Sequence, residues 1–222
     1  MPRVKLKRKS TFIDMTAMSD VTVLLLTFFM LTSTFVQKEP IQVATPSSVS
    51  EIKIPESNIL QILISYDNKT DKARIFMSLD NQDDKKNVLQ AMGKEYNVSF
   101  TQKEMDNFKL INSFGVPMNK MKEFLNLRTE DQDGMLLGVN GGIPIDSLNN
   151  QFRRWVYNSR VESQKRLNEL KSTEKVKLKI AIKADQITPY PVIKEVMSSL
   201  QDVREDRYNL ITSLKTVAAE DM

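Results

Sequence analysis

Two carboxylates near the start of the chain, Asp14 and Asp20, stand just ahead of a stretch in which no residue is charged. That stretch, Val21 to Val36, reads VTVLLLTFFMLTSTFV and is dominated by Leu, Val, Phe and Met with a few Thr. Desolvation favours the neutral form of a carboxyl group, so an acid set beside an apolar run suits one kind of chemistry, proton uptake and release. Other chemistries are excluded by composition. The 222 residues include neither Cys nor His, which removes thiol nucleophiles, Cys/His zinc sites, disulfides and His-based triads. The long middle of the chain, Gln82 to Gly142, has no acidic cluster at calcium-loop spacing and no Gly-rich phosphate loop. The chain is therefore read as a non-enzyme without a cofactor.

The element that has to position these acids is a helix crossing a membrane. Sixteen apolar residues are short for a span. A helix from Phe12 to Val36 has about 25 residues and a length of roughly 37 Å, enough to cross with some tilt, and it contains both acids. At 100° per residue Thr16, Asp20, Thr27 and Thr34 fall within about 40° of one another, while Thr22 and Thr32 fall on other faces. Asp14 lies roughly 9 Å nearer the N-terminal end and about 120° around the helix, the place of an entrance or interface residue. An acid inside a bilayer costs about 2.5–3.5 kcal/mol even on the lenient insertion scale, so the stripe is expected to face a partner helix or a wet interior. Two plainer readings stand beside this one. A cleaved signal peptide shares the basic start and apolar core, although no A-x-A-like site follows Phe35. Alternatively, Asp20 sits at the membrane interface, favoured there only by the helix dipole.

Charge sets the expected orientation. The formal net charge is +4 and the isoelectric point near 9.1, values that would invite nucleic acid, but Arg3, Lys5, Lys7, Arg8 and Lys9 all precede the first acid. Without those five, basic and acidic residues nearly balance, so the basicity is a local tag and no nucleic-acid partner is expected. Only Lys38 and Lys53 follow within about 20 residues of the apolar run, and the positive-inside rule then puts the N-terminus in the cytoplasm.

The residues Ile13-Asp14-Met15-Thr16-Ala17-Met18-Ser19-Asp20-Val21, with the Leu-rich run after them, resemble the membrane signature of the ExbD/TolR family. In that family a pattern of the type I-N-x-T-P-x-x-D-V precedes the helix, and the resemblance implies that Asp20 is the proton-translocating residue, with Thr16 at the family's Thr position. Asp14 stands where the family has Asn, and Ala17 where it has Pro. Ser50-Glu51-Ile52-Lys53-Ile54-Pro55-Glu56 is similar to the family's short extended segment after the linker. Val176 to Asp185, followed by Thr188-Pro189-Tyr190, resembles its strand, acidic turn and helix near the C-terminus. The resemblance covers residues 11–79 and 146–215. It implies two copies of this chain with their helices inside a pentameric ExbB/TolQ-like ring in the cell inner membrane, and an exported domain that engages a TonB-like protein or peptidoglycan. The alternative from another class is a tether: a periplasmic module binding peptidoglycan or protein, with no proton transfer.

The expected organisation is a cytoplasmic basic segment (1–11), a transmembrane helix (12–36), a Pro-containing periplasmic linker (37–57), an α+β domain (58–215) and a tail (216–222). Within the domain, Ile59–Ser65 and Ala73–Leu79 read as a hairpin, and residues 146–170 as a helix burying Leu148, Phe152 and Trp155. Val176, Leu178, Ile180, Ile182 and Ala184 alternate with lysines as a half-buried strand; Tyr190, Ile193, Val196, Met197 and Leu200 follow helical spacing; 208–213 reads as a last strand. Residues 82–142 stand out as a mostly helical insertion, with runs near 83–92, 102–113 and 118–125. Thr101-Gln102-Lys103-Glu104 opens the second as a capping box, and Pro117 suits N1 of the third. Such an insertion is either a docking element or a passive elaboration, and is expected to be removable without loss of membrane assembly.

Overall fold

The computed structural model describes residues 15–33, 41, 43–48, 57–67, 72–138, 141–146, 149–169 and 177–214. The chain divides into two compact units, Met1–Lys38 and Glu39–Met222. In the first, Met15–Thr32 form α1, an 18-residue helix without Gly or Pro. It is long and apolar enough to cross a membrane, at about 27 Å of helix.

The second unit is built around a four-stranded sheet. Ser47–Ser48 (β1) comes first, then the hairpin Ile59–Asp67 (β2) and Lys72–Leu79 (β3). Helices Gln82–Glu95 (α2), Gln102–Leu110 (α3), Met121–Asn126 (α4) and Thr129–Leu137 (α5) follow, then the long Gln151–Glu169 (α6). The chain continues through Lys179–Ala184 (β4), Tyr190–Asp202 (α7), Tyr208–Leu210 (β5) and Ser213–Leu214 (β6). The sheet order is β3-β2-β4-β5, antiparallel at the hairpin and parallel elsewhere, and β1 pairs separately with β6. Register follows the apolar alternation, since a shift of one residue would turn the buried set to the other face. Met77, Ile62 and Ile182 align in one row and Leu79, Leu60 and Ile180 in the next, all buried.

The helical segment after β3 is continuous with this core. Phe108, Phe114, Phe124 and Leu125 are fully buried in the same cluster as the sheet residues. Phe108 and Phe114 stand 6.1 and 4.7 Å, ring to ring, from Trp155 on α6. The segment also closes the outer edge of β3. Met77 N–H donates to the Phe114 carbonyl (2.8 Å), Phe114 N–H returns to Met77 (2.9 Å), and Ile143 N–H reaches Ile75 (2.8 Å). Gly115 allows this approach, because a Cβ there would overlap the Phe76 ring, and Gly142 takes φ 103°, which a side chain would strain. Residues 82–142 therefore pack into the same core as the sheet.

Other expectations shift for local reasons. The 37–57 linker was expected to stay unpacked, yet Ile41 and Val43 are buried in the core, Gln186 N–H donates to the Ala44 carbonyl (2.8 Å), and β1 lies in this stretch. Two apolar side chains spaced by two residues gain more from burial than from exposure. The helix expected from 146 begins at Gln151, because the Asn150 side chain caps it by accepting from Arg153 N–H (2.8 Å). Phe152 and Trp155 are buried as expected, whereas Leu148 lies outside the described residues. Ala181 is buried although it alternates with the apolar face. Tyr190 is 69% exposed and not part of the α7 core face. The last strand is split into β5 and β6, and α5 had no counterpart in the sequence reading. Pro117 precedes a short 3-10 turn, Met118–Lys120, that leads into α4. The 50–56 segment lies outside the described residues, apart from which the hairpin and the capping box stand as read.

Candidate functional site

On α1 the polar side chains have to be reconciled with an apolar surrounding. Every side chain of the helix is exposed, Leu31 to 87%, and none is buried. An apolar helix in this condition needs lipid or other helices around it. Its threonines are satisfied internally. Thr22 donates to Ser19 (2.9 Å) and Met18 (3.0 Å), Thr27 to Leu24 (2.9 Å) and Thr32 to Phe28 (2.8 Å), each at a backbone carbonyl three or four residues back. This back-bonding keeps a hydroxyl from standing unpaired in hydrocarbon. It occurs on and off the expected stripe, so it does not single out Thr27. The Thr27 oxygen can still accept, from water or from a protonated carboxyl group, but its own proton is engaged.

Asp20 is different, since among the described residues no side chain pairs with it. It shares α1 with Thr16 and Thr27, and helical spacing places the three on one side. Thr34, the remaining stripe residue, and Asp14, the expected entrance residue, lie outside the described residues. No group of three or more acids at metal-binding distance occurs among the described residues.

The folded domain shows how the same chain treats a carboxylate it keeps for itself. Asp84 in the first turn of α2 is fully buried, and its Oδ1 accepts from Arg166 Nε at 2.8 Å. Arg166 Nη2 also donates to Asn58 Oδ1 (2.9 Å), at the left-handed turn that starts β2. Burial pushes the Asp84 carboxyl above its ordinary pKa, opposed by Arg166 and reinforced by Asp83 and Glu162. Glu104 goes the other way: burial raises it, but hydrogen bonds from Thr101 and Asn126 outweigh that and lower it. The sequence reading missed the Asp84–Arg166 pair, because 82 residues separate the partners and no local pattern announces them.

Residues 7–215 match the family model for biopolymer transport protein ExbD/TolR. The chain belongs to that family. The match takes in 82–142 as well as the two stretches on which the resemblance was first read. Membership in the ExbD/TolR family assigns the chain to biopolymer transport and to a membrane complex, and the family's members are not enzymes. One N-terminal helix fits a single-pass inner-membrane protein of this family. No curated protein and no solved structure matches the chain.

Proposed function

We propose that this chain is an ExbD-like subunit of a proton-channel motor, in which Asp20 takes up and releases the proton that couples the proton motive force to work at the outer membrane. The observation that carries this reading is an acid with no partner among the described residues, on an apolar helix that buries nothing. Such a helix acquires its surroundings from other chains. The reading supplies them as a pentameric ExbB/TolQ-like ring enclosing the helices of two copies. The basic residues before α1 put the N-terminus in the cytoplasm and residues 39–222 in the periplasm, where a TonB-like protein or peptidoglycan would be engaged.

In this mechanism the charged carboxylate is held in the ring by polar or cationic neighbours, and protonation cancels that attraction and frees the helix to move. One proton crossing the membrane supplies about 2.3 kcal/mol per 100 mV, comparable to the cost of one intramembrane acid. Thr16 and Thr27 share the side of Asp20 and offer oxygens to the carboxyl or to water, and helical spacing would add Thr34 to that side and Asp14 at the entrance.

The test is Asp20→Asn, which keeps volume and hydrogen bonding but cannot titrate. The variant is expected to co-purify with the ring at wild-type yield and to abolish the driven process in cells at matched expression. Wild-type activity from this variant would eliminate Asp20 as carrier and leave the tether, a periplasmic binding module, as the better reading.

A further inference from the structure

Three arginines of the folded domain sit where local preferences do not ask for arginine. Arg153 and Arg154 occupy the first turn of α6, which contains no acid and whose positive dipole end disfavours cations. Arg204 follows the C-cap of α7 with φ 62°, the left-handed conformation for which glycine is the usual choice. Its amide donates to the Gln201 carbonyl (2.8 Å) and that of Glu205 to Leu200 (3.0 Å), closing a Schellman turn. The negative end of α7 offsets only part of the strain. These arginines share one cleft: with Tyr157, Asp202 and Val203 they line a space of about 400 Å³.

Two of the three already hold carboxylates of this chain. Arg153 Nη1 lies 3.4 Å from Asp202 Oδ2, and Arg154 Nε lies 3.0 Å from Glu95 Oε1. Both pairs are solvent-exposed, and such pairs are weak and exchange with an incoming acid. Arg204 has no side-chain partner among the described residues. Three guanidiniums set against two carboxylates leave a single positive charge. An anionic group matches that surplus. Tyr157, 53% exposed, and Val203 give the cleft an apolar wall. Arg and Tyr are the residue types that anchor protein interfaces.

From this we infer that the α6–α7 cleft is a docking site for an acidic peptide segment of a partner protein. Arg204 is the anchor for one carboxylate, Arg153 and Arg154 exchange partners to take neighbouring acids, and Tyr157 covers the peptide stem. This inference does not depend on Asp20 carrying protons.

The experiment uses the full chain in detergent micelles and a fluorescein-labelled Ser-Glu-Glu-Ser peptide, with Ser-Gln-Gln-Ser as the matched control. Anisotropy is expected to show salt-sensitive binding of the Glu peptide only. Arg204→Gly should weaken it about three- to fivefold while the thermal midpoint of the domain stays level or rises, because Gly relieves the strained φ. Arg153→Gln and Tyr157→Ser, both surface changes, should weaken it independently of any folding effect at Arg204. Equal binding of the Gln peptide, or unchanged affinity in all three variants, would overturn the assignment. So would displacement of the peptide by inorganic phosphate at concentrations where acetate has no effect, which would make the cleft a phosphate site.

Discussion

The helix α1 and the domain of residues 39–222 solve opposite problems with the same residue types. In the domain, apolar side chains from the strands, from α2 to α6 and from α7 bury one another, and the buried ions find partners within the chain. Lys85, a buried residue, is an example: its Nζ donates to the Ile111 carbonyl at 2.7 Å just past the C-terminal end of α3. Along α1 the apolar side chains cover nothing, and among the described residues Asp20 has no partner. The domain buries its own apolar surface, and the helix buries none of its own. A carboxylate therefore acts as a structural strut in one region and becomes a candidate carrier in the other.

The largest expected effect tests whether the middle segment belongs to the self-sufficient side of this contrast. Deleting residues 82–142 removes Phe108, Phe114, Phe124 and the cover of the β3 edge, so the domain should lose its cooperative unfolding transition while α1 still inserts into membranes. Limited proteolysis of membranes carrying the variant would show this. A protease-resistant domain after the deletion would restore the segment to the status of an insertion.

A smaller cut at the same place is Phe114→Ala. Removing a fully buried phenyl ring that packs at a tilt against Trp155 should cost about 3–5 kcal/mol. The denaturant midpoint can be followed by the fluorescence of Trp155, the only tryptophan of the chain. Co-purification with the membrane ring at low temperature should be unaffected.

The buried pair sharpens the contrast through pH. The folded state holds a proton on Asp84 to higher pH than the unfolded chain does, so unfolding in this window releases a proton and rising pH favours it. Wild type should lose stability relative to Asp84→Asn as pH rises from about 4, the ordinary Asp value, to the raised value of the folded state. Glu205, also raised by burial against the pull of Arg160, acts in the same direction in both proteins. Thermal midpoints of the two proteins across pH 4–7 measure the difference. A gain of wild-type stability relative to Asp84→Asn with rising pH would show that Arg166 dominates over burial.

The smallest expected change is Thr101→Ala, which opens the capping box of α3. It should cost about 1 kcal/mol, seen as a small fall in the midpoint without altered cooperativity. Because the Thr101–Glu104 bonds lower the Glu104 pKa, the stability Glu104 contributes is present above its ordinary pKa and lost as pH falls. The variant should show less of that loss.

Local patterns were enough for much of the fold. The hairpin of β2 and β3, the capping box at Thr101, the strand around Ile180 and the buried faces of α6 and α7 follow from period and capping chemistry, which act between residues a few positions apart. The single apolar helix with its acid and threonines is likewise legible, because crossing a membrane is a property of length and composition. What remained hidden depends on distance along the chain. Nothing near Ile41 or Val43 announces that they are buried, nothing near Asp84 points to Arg166, and nothing near Arg153 points to Arg204. The middle helices could be read individually, yet their place against β3 and Trp155 could not, since it rests on backbone bonds between Met77 and Phe114 and on a glycine at 115 that lets the strands close. By itself the sequence determined where helices, strands and a membrane span form, for these are local free energies. The tertiary structure alone decided which segments share a core, because only packing brings together groups that are many residues apart.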